Sequence, residues 1–239
     1  ILESGKGPKQ ITKLDSKKTR ISQIRRKDGN ITTDREEILD VCAEFYQDLY
    51  SSKKEGGKKS SIKSVDDTEL PSITVREVEM AVKQMKDNKA PGNDDLSSDI
   101  FKIGGDEINK QLVKLYNHIL SEKKIPVKWK EAKIILLHKK GDKADIKNYR
   151  PISLLSHAYK IFTRIIQNRI KRILDENQPR EQAGFREGFS TTDHLHALNQ
   201  LIEKANEYQL KLCVGYIDYE KAFDSVEHSD LFTALRNIG

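Results

Sequence analysis

The sequence predicts an α+β fold, because helical periods of apolar residues alternate along the chain with a few short apolar runs. Lys133–His138 and Leu212–Asp218 are the two runs with the length and composition of strands. The 239 residues are 36% hydrophobic and 33% charged. Because ordinary globular domains carry roughly 25% charged residues, part of the surface is expected to be solvated or to face a polyanion.

Composition also bounds the class of protein. No apolar run approaches the roughly 18 residues of a transmembrane helix, which excludes a transmembrane protein. The two cysteines, Cys42 and Cys213, cannot build a disulfide scaffold or complete a zinc site. The net charge of +6 is compatible with a nucleic-acid partner but does not require one. The chain starts at Ile1 without a basic-then-apolar leader, so secretion is not indicated and a piece of a longer or processed polypeptide is expected.

Residues 1–32 are predicted to form a basic arm. Asp28-Gly29-Asn30 is a turn signal between two short extended pieces, Arg20–Ile24 and Ile31–Thr32. Two interpretations stay open, an arm without fixed structure or a hairpin that contacts phosphates.

Residues 33–70 are predicted to hold one helix and a linker. Thr33 and Glu36 have the spacing of a capping box. Apolar residues then recur at helical period, at Ile38, Val41, Cys42, Phe45 and Leu49. The segment Ser51–Ser64 is rich in Lys, Ser and Gly and is the best candidate for a domain boundary.

Residues 71–205 are predicted to hold most of the remaining helices. Thr74 and Glu77 form a second capping box, and their helix should stop at Asp87–Lys89 before a Pro-Gly turn. Three more helices are expected, at about Asp106–Ser121, at about His157–Asn177 and after Thr192. The residues expected to face the core are Val75, Val78, Val82, Met85, Ile108, Leu112, Leu115, Ile119, Ile161, Phe162, Ile165, Ile166, Ile170, Ile173, Leu174, Leu195, Leu198, Ile202 and Ala205.

The predicted strand Leu212–Asp218 delivers a carboxylate at its carboxyl end, where sites are commonly built. Asp218 is a hard oxygen ligand suited to Mg²⁺, and pairs of such ions assist phosphoryl transfer. Phe223, five residues later, could exclude a 2′-hydroxyl by steric clash. The alternative is an ordinary Asp at a strand end with Phe223 in the core.

Cations flank the predicted strand Lys133–His138. Arg150 can bind a triphosphate as a fork, whereas Lys139 and Lys140 act as mobile point charges. The alternative is a solvated turn.

The segment Gln182-Ala183-Gly184-Phe185-Arg186 follows the long helix. Glycine permits close backbone approach, and Arg186 could reach a phosphate. The alternative is a simple connection between helices with Phe185 in the core.

Four segments in this order resemble the reverse transcriptases of non-LTR (LINE-type) retrotransposons, namely KAPGND, NYRPISLL, QAGFREGFSTTDH and YIDYEKAFDSVEH. The last is similar to RTE-like or jockey-like elements, and the resemblance covers roughly Thr33 to Gly239. It implies polymerase fingers over residues 71–205, followed over residues 206–239 by the first strand and helix of an incomplete palm.

The resemblance also implies roles for particular residues. Asp218 matches the first catalytic metal-binding acid, and the backbone carbonyl of Tyr219 adds a contact to the metal. Phe223 matches the sugar-gating aromatic, and Arg150 matches the fingers arginine that holds the incoming triphosphate with Lys139 or Lys140. Support for template and nucleotide is implied for Gln182, Gly184 and Phe185.

The implied partners are an RNA template, a DNA primer and dNTPs, with Mg²⁺ in the complete enzyme and a nuclear location for the parent element. The family also needs a later strand that bears two adjacent acids. Asp66-Asp67 and Asp94-Asp95 both precede Asp218, and neither follows an apolar strand. The rest of the palm and the thumb are therefore expected to be missing, and this polypeptide alone is expected not to polymerise DNA. The alternatives are a non-catalytic nucleic-acid-binding relic and a protein-binding scaffold.

Overall fold

A computed structural model describes residues 21–52 and 70–238. The chain forms two compact units, Ile1–Ser51 with Ile134–Ile152, and Ser52–Lys133 with Ser153–Gly239. Most of the predicted basic arm and nearly all of the predicted linker lie outside the described residues.

The first unit begins with a small hairpin. Strand β1 (Ile24–Arg25) pairs antiparallel with β2 (Ile31–Thr32). Gly29 turns the chain at a φ of +88°, and the Asp28 carboxylate accepts a hydrogen bond from the Asn30 amide at 2.9 Å. Of the two interpretations of this region, the hairpin is therefore confirmed, and contact with phosphates stays a prediction.

Helix α1 (Arg35–Tyr50) follows the hairpin and is capped by Asp34, whose side chain accepts from the amides of Glu36 and Glu37. The predicted capping box at Thr33 and Glu36 is wrong by one residue, because the adjacent carboxylate takes the cap position. The predicted apolar face is confirmed. Ile38 is buried beside Ile24 and Ile146, and the other predicted residues pack against this cluster together with Leu136.

Strand β3 (Lys133–His138) has the predicted bounds. It pairs with β4 (Tyr149–Leu154) in a two-stranded sheet. The sequence analysis placed Arg150 in this second segment but gave no strand bounds for it. A short 3₁₀ turn, Ile146–Asn148, lies between the strands, and the Lys139 amide donates to the Asn148 carbonyl at 2.9 Å.

The second unit is built from helices. They are α2 (Val75–Lys83), α3 (Ser98–Ile103), α4 (Gly105–Glu122), α5 (His157–Asn177), α6 (Thr191–Glu207) and α7 (His228–Ile238). The capping box at Thr74 and Glu77 is confirmed, and so are the predicted bounds of α5. Helix α2 ends before Asp87–Lys89, and α3 has no counterpart in the sequence analysis. None of the described helices is long and apolar enough to cross a membrane.

The core of the second unit lies where α2 packs against α4 and α5. Its buried members are Ile73, Val78, Ala81, Val82, Phe101, Leu112, Tyr116, Ile119, Trp129, Ala158, Ile161 and Ile165. The Tyr116 hydroxyl donates to the Ala158 carbonyl at 2.9 Å, which satisfies the one polar atom that this ring buries. The predicted core is thus confirmed for the middle of α2 and α4 and the first half of α5. It is wrong for Ile170 and Ile173, which are 37% and 45% exposed, because the second half of α5 extends beyond this core.

Two predictions for the later part of the chain are wrong. Leu195 and Ile202 of α6 are 60% and 40% exposed, and only Ala205 of that helix is buried. Leu212–Asp218 forms no strand, and its side chains are exposed. Among the described residues no other strand pairs with it, and an extended segment needs a neighbour to satisfy its backbone groups.

Candidate functional site

The three predicted triphosphate-binding cations all lie in the first unit. Lys139 and Lys140 follow β3, Arg150 lies in β4, and all three are exposed. Their charged groups make no hydrogen bond or ion pair with any residue that the structure describes. These cations are therefore available to an anionic ligand.

The turn that carries these lysines is held by neighbouring groups. The Asp142 carboxylate accepts from the Ala144 amide at 2.8 Å and from the Arg25 guanidinium at 2.9 Å. These contacts, the amide first, lower the pKa of Asp142. Gly141 has a φ of +88°, and a Cβ there would lie 2.8 Å from the Asn148 amide nitrogen. The lysines thus extend from a fixed turn.

The predicted template segment lies in the second unit, directly after α5. The Gln182 side-chain amide donates to the Gly184 carbonyl at 3.1 Å. Arg186 donates to the carbonyls of Pro179 and Asp175 at 3.2 and 3.4 Å. Its positive charge therefore lies near the carboxyl end of α5, where the helix dipole favours a cation. Contact between Arg186 and a phosphate stays a prediction, and it would compete with these two hydrogen bonds.

The structure brings together two aromatic residues to which the sequence analysis gave separate roles. The rings of Phe185 and Phe223 meet edge to face, with centroids 5.2 Å apart. Both are exposed, at 94% and 75%, so the alternative of two core residues is wrong. Phe185 has a φ of +61°, an unusual backbone conformation for a bulky residue. The pair forms an exposed aromatic edge in the second unit.

Asp218 and Tyr219 lie in the irregular segment before that aromatic edge, and both are exposed. No described residue bonds to the Asp218 carboxylate. The described residues contain no group of three or more His, Cys, Asp or Glu that could hold a metal ion. One carboxylate and one backbone carbonyl are two of the roughly six ligands of Mg²⁺, so these residues do not by themselves form a complete magnesium site.

The first of the four motif segments, KAPGND, packs against the start of α5. Gly92 is buried, and a Cβ there would lie 2.6 Å from the Leu155 carbonyl carbon and the Ser156 nitrogen. The Ala-Pro-Gly turn therefore lies directly on the start of α5. Lys160 and Arg164 on that helix are cations that the sequence reasoning missed. Their four-residue spacing, which places both on one helix face, was the available signal.

Comparison with known proteins agrees with these motifs. Residues 137–239 match the family described as "Reverse transcriptase (RNA-dependent DNA polymerase)". The chain is 30% identical to the "Transposon TX1 uncharacterized 149 kDa protein" of Xenopus laevis, over 99% of this chain and 19% of that protein. It is 30% identical to the "Probable RNA-directed DNA polymerase from transposon BS" of Drosophila melanogaster, over 90% of this chain and 25% of that protein.

A third relative is the "RNA-directed DNA polymerase from mobile element jockey" of Drosophila melanogaster, which is 33% identical over 71% of this chain and 19% of that protein. The chain thus spans between a fifth and a quarter of the length of these relatives. The matched region includes Arg150, the segment after α5, and Asp218. Over residues 137–239 the chain belongs to the reverse transcriptase family, and the relatives that it resembles are named as RNA-directed DNA polymerases of transposons.

Proposed function

We propose that this chain provides the fingers and the first catalytic acid of an RNA-directed DNA polymerase that copies RNA from a primer 3′-hydroxyl. In this proposal residues 1–32 are a basic arm and residues 33–70 an extension with a linker. Residues 71–205 form the fingers, and residues 206–239 begin the palm. The observation that carries the proposal is the family match over residues 137–239, which includes Arg150 and Asp218.

The cations of the first unit bind the triphosphate of the incoming dNTP. Arg150, Lys139 and Lys140 are exposed and have no acidic partner among the described residues. A triphosphate carries several negative charges. A guanidinium can bind two phosphate oxygens at once, and the more mobile ammonium groups can contact the remaining oxygens. Because no carboxylate of the described residues competes, the charge of each group is available to the nucleotide.

Asp218 provides one carboxylate ligand to Mg²⁺, and the Tyr219 carbonyl provides a second oxygen. Bound Mg²⁺ ions would stabilise the charge that develops on the attacking and leaving oxygens. The Asp218 side chain is exposed and makes no bond with a described residue. No ion pair with the described residues therefore has to break when this carboxylate binds a metal ion. The remaining ligands must come from the nucleotide and from other acids of the polymerase.

The aromatic edge selects the sugar. Phe223 blocks a 2′-hydroxyl by contact, and Phe185 packs against it at 5.2 Å. A single exposed ring on an irregular segment has freedom to turn away, whereas an edge-to-face pair is worth about 0.5–1.5 kcal/mol beyond the area it buries. Gln182 and Gly184 lie on the same short segment as Phe185 and support the template base.

The test is primer extension by the polypeptide translated from the open reading frame that encodes these residues, with an RNA template and a DNA primer. Arg150→Ala should raise the KM for dNTP more than it lowers kcat, because it removes a contact to the triphosphate. Phe223→Ala should raise the incorporation of ribonucleotides relative to deoxyribonucleotides. Lys114→Ala, an exposed lysine on α4, is the matched control and should behave as the wild type.

Two results would contradict the proposal. One is RNA binding by the wild-type polypeptide with no RNA-templated extension, which would favour a non-catalytic nucleic-acid-binding relic. The other is extension in which Arg150→Ala and Phe223→Ala leave KM and sugar selection at their wild-type values.

A further inference from the structure

A cationic cavity lies outside all the residues assigned above. It has a volume of about 340 Å³ and lies between the end of α2 and the first turns of α5. Four basic residues, Lys86, Lys89, Lys160 and Arg164, line it, and no acidic residue does. Four cations around one cavity with no acid in its walls create a local positive potential that attracts anions.

These four cations are also unpaired. Some basic side chains of the second unit form ion pairs with acidic residues, as Lys102 does with Asp87 and Lys171 with Glu187. The charged groups of the four cavity residues make no hydrogen bond or ion pair with any described residue. Among the described residues nothing compensates their mutual repulsion, and an anion in the cavity would relieve it.

His157 adds a polar group to the same cavity. It is 1% exposed, and its Nδ1 has no hydrogen-bond partner among the described residues. A buried polar atom without a partner is costly, so such an atom beside a cavity indicates a place for a ligand atom. Burial, and then the charge of Lys160, lower the pKa of His157, whereas Asp94 and Asp99 act weakly in the opposite direction. These effects favour the neutral form of the ring, which has one N–H to donate.

The cavity continues along α5 as a groove. A second cavity of about 840 Å³ shares Gln84, Arg164 and Gln167 with the first. Its other lining residues include the amides Asn168, Asn177 and Gln178, as well as Asp175 and the Lys171–Glu187 pair. Helix α5 has 21 residues, which corresponds to about 30 Å. That length accommodates several phosphates of a polymer, whereas one free phosphate would occupy only the basic end.

We propose that this groove, formed by Lys86, Lys89, Lys160, Arg164 and the amides that follow along α5, binds the phosphate backbone of a single nucleic-acid strand. The cations contact phosphates at the α2 end, and the amides donate to phosphates or sugars farther along. The choice of nucleic acid over an acidic peptide rests on the proposed polymerase function. The groove needs neither Asp218 nor Arg150, although its second cavity also includes Phe185 of the aromatic edge.

The test measures the salt dependence of binding. Fluorescence anisotropy with a labelled single-stranded RNA, without metal or dNTP, is recorded over a range of NaCl concentrations for the full chain. Lys89→Gln/Lys160→Gln removes two groove cations. Lys110→Gln/Lys114→Gln removes two exposed lysines from α4 and has the same net charge. Each phosphate contact contributes about 0.7 to the slope of log K against log salt, so the groove variant should lose about 1.4 from this slope and the control much less.

Competition then identifies the ligand. Unlabelled single-stranded RNA should displace the labelled strand, and inorganic phosphate or polyglutamate at equal negative charge should not. Equal slopes for the groove and control variants would overturn the proposal. Equal competition by free phosphate would indicate a single-anion site, and equal competition by polyglutamate an acidic-peptide site, and either would also overturn it. Thermal unfolding of both variants verifies that they fold.

The two proposals fail in different ways. One outcome is that the groove variant shows the smaller salt slope while the polypeptide shows no RNA-templated extension. In that case the polymerase proposal fails and the groove proposal stands. If extension depends on Arg150 while the slope is unchanged in the groove variant, the groove proposal fails alone.

Discussion

Helices α5 and α6 have similar amphipathic sequences and different environments. In α5, Ile161 and Ile165 are fully buried against α2 and α4. In α6, Leu195 and Ile202 lie on an equally regular apolar face but are largely exposed. Periodicity therefore predicts that a segment is helical and which face is apolar. Whether that face is covered depends on what the rest of the molecule places beside it.

The difference divides the second unit into a packed part and an exposed part. The packed part contains α2, α4 and α5, and we expect it to determine stability. The exposed part runs from α6 through the segment with Asp218 to Phe223, and we expect substitutions there to affect function more than folding.

The largest effect should separate the two helices directly. Ile161→Ala should lower the free energy of unfolding by about 2–5 kcal/mol, because it removes buried methyl groups and leaves a cavity. Leu195→Ala should lower it by less than about 1 kcal/mol, because 60% of this residue is already exposed to water. Urea denaturation of both variants measures the difference. Equal losses would show that the apolar face of α6 is covered in solution and would contradict the contrast between α5 and α6.

A smaller effect should distinguish two arginines on α5 itself. Arg169 donates to the Glu77 carboxylate at 2.6 and 3.0 Å and to the carbonyls of Pro71 and Ser72. Arg169→Ala should therefore cost about 1–3 kcal/mol, because it removes charge-assisted bonds that join α5 to the start of α2. Arg172→Ala is the control. It removes only an exposed pair with Glu176, which is worth about 0.3–0.5 kcal/mol. Equal effects would mean that the Arg169 contacts do not join these elements.

The same contact predicts a pH dependence within the packed part. The hydrogen bond from the Arg169 guanidinium lowers the pKa of Glu77 to about 2 from its ordinary 4.5. Burial of the carboxyl group opposes this effect but is weaker. A lowered carboxyl pKa stabilises the fold fully above the ordinary value, and this contribution is lost as the pH falls from about 4.5 toward 2. Glu77→Gln should be less stable than the wild type at pH 7, and the two should converge at low pH. An unchanged difference between pH 7 and pH 2.5 would contradict the ionic contribution.

The smallest expected stability effect concerns the aromatic edge. Phe185→Ala should change the free energy of unfolding by less than about 1 kcal/mol, because the ring is exposed and its contact with Phe223 is one edge-to-face pair. Phe185→Leu is the control, because it keeps an apolar side chain and loses the ring. A loss above about 2 kcal/mol in thermal or urea unfolding would show that this segment belongs to the packed part.

Local signals predicted much of the fold. Helical period, caps and helix breakers predicted the bounds of α5 and β3 and the Thr74 capping box. They also predicted several of the core residues of α2 and α4. The N-cap of α1 was placed one residue early, because Thr33 and Asp34 are both good caps. The exposed face of α6 was not predictable, because burial depends on distant parts of the chain.

The missing strand and the arrangement of the site also depend on contacts between distant parts of the chain. Leu212–Asp218 has strand composition, but a strand exists only with a partner, and none is present among the described residues. The motif residues were identified from a four-segment pattern, yet the contact of Phe185 with Phe223 and the unpaired cavity cations Lys160 and Arg164 depend on tertiary packing. Sequence alone therefore indicated the chemistry of the site better than its arrangement.

The most direct measurement compares Asp218→Asn with Asp224→Asn in RNA-templated primer extension by the polypeptide translated from the open reading frame, with urea unfolding of both variants. Asp218 is the proposed metal ligand, whereas Asp224, six residues later, has no proposed role in metal binding. The account predicts that Asp218→Asn abolishes extension while its free energy of unfolding stays within about 0.5 kcal/mol of the wild type, and that Asp224→Asn still extends the primer. Wild-type extension by Asp218→Asn would contradict the account.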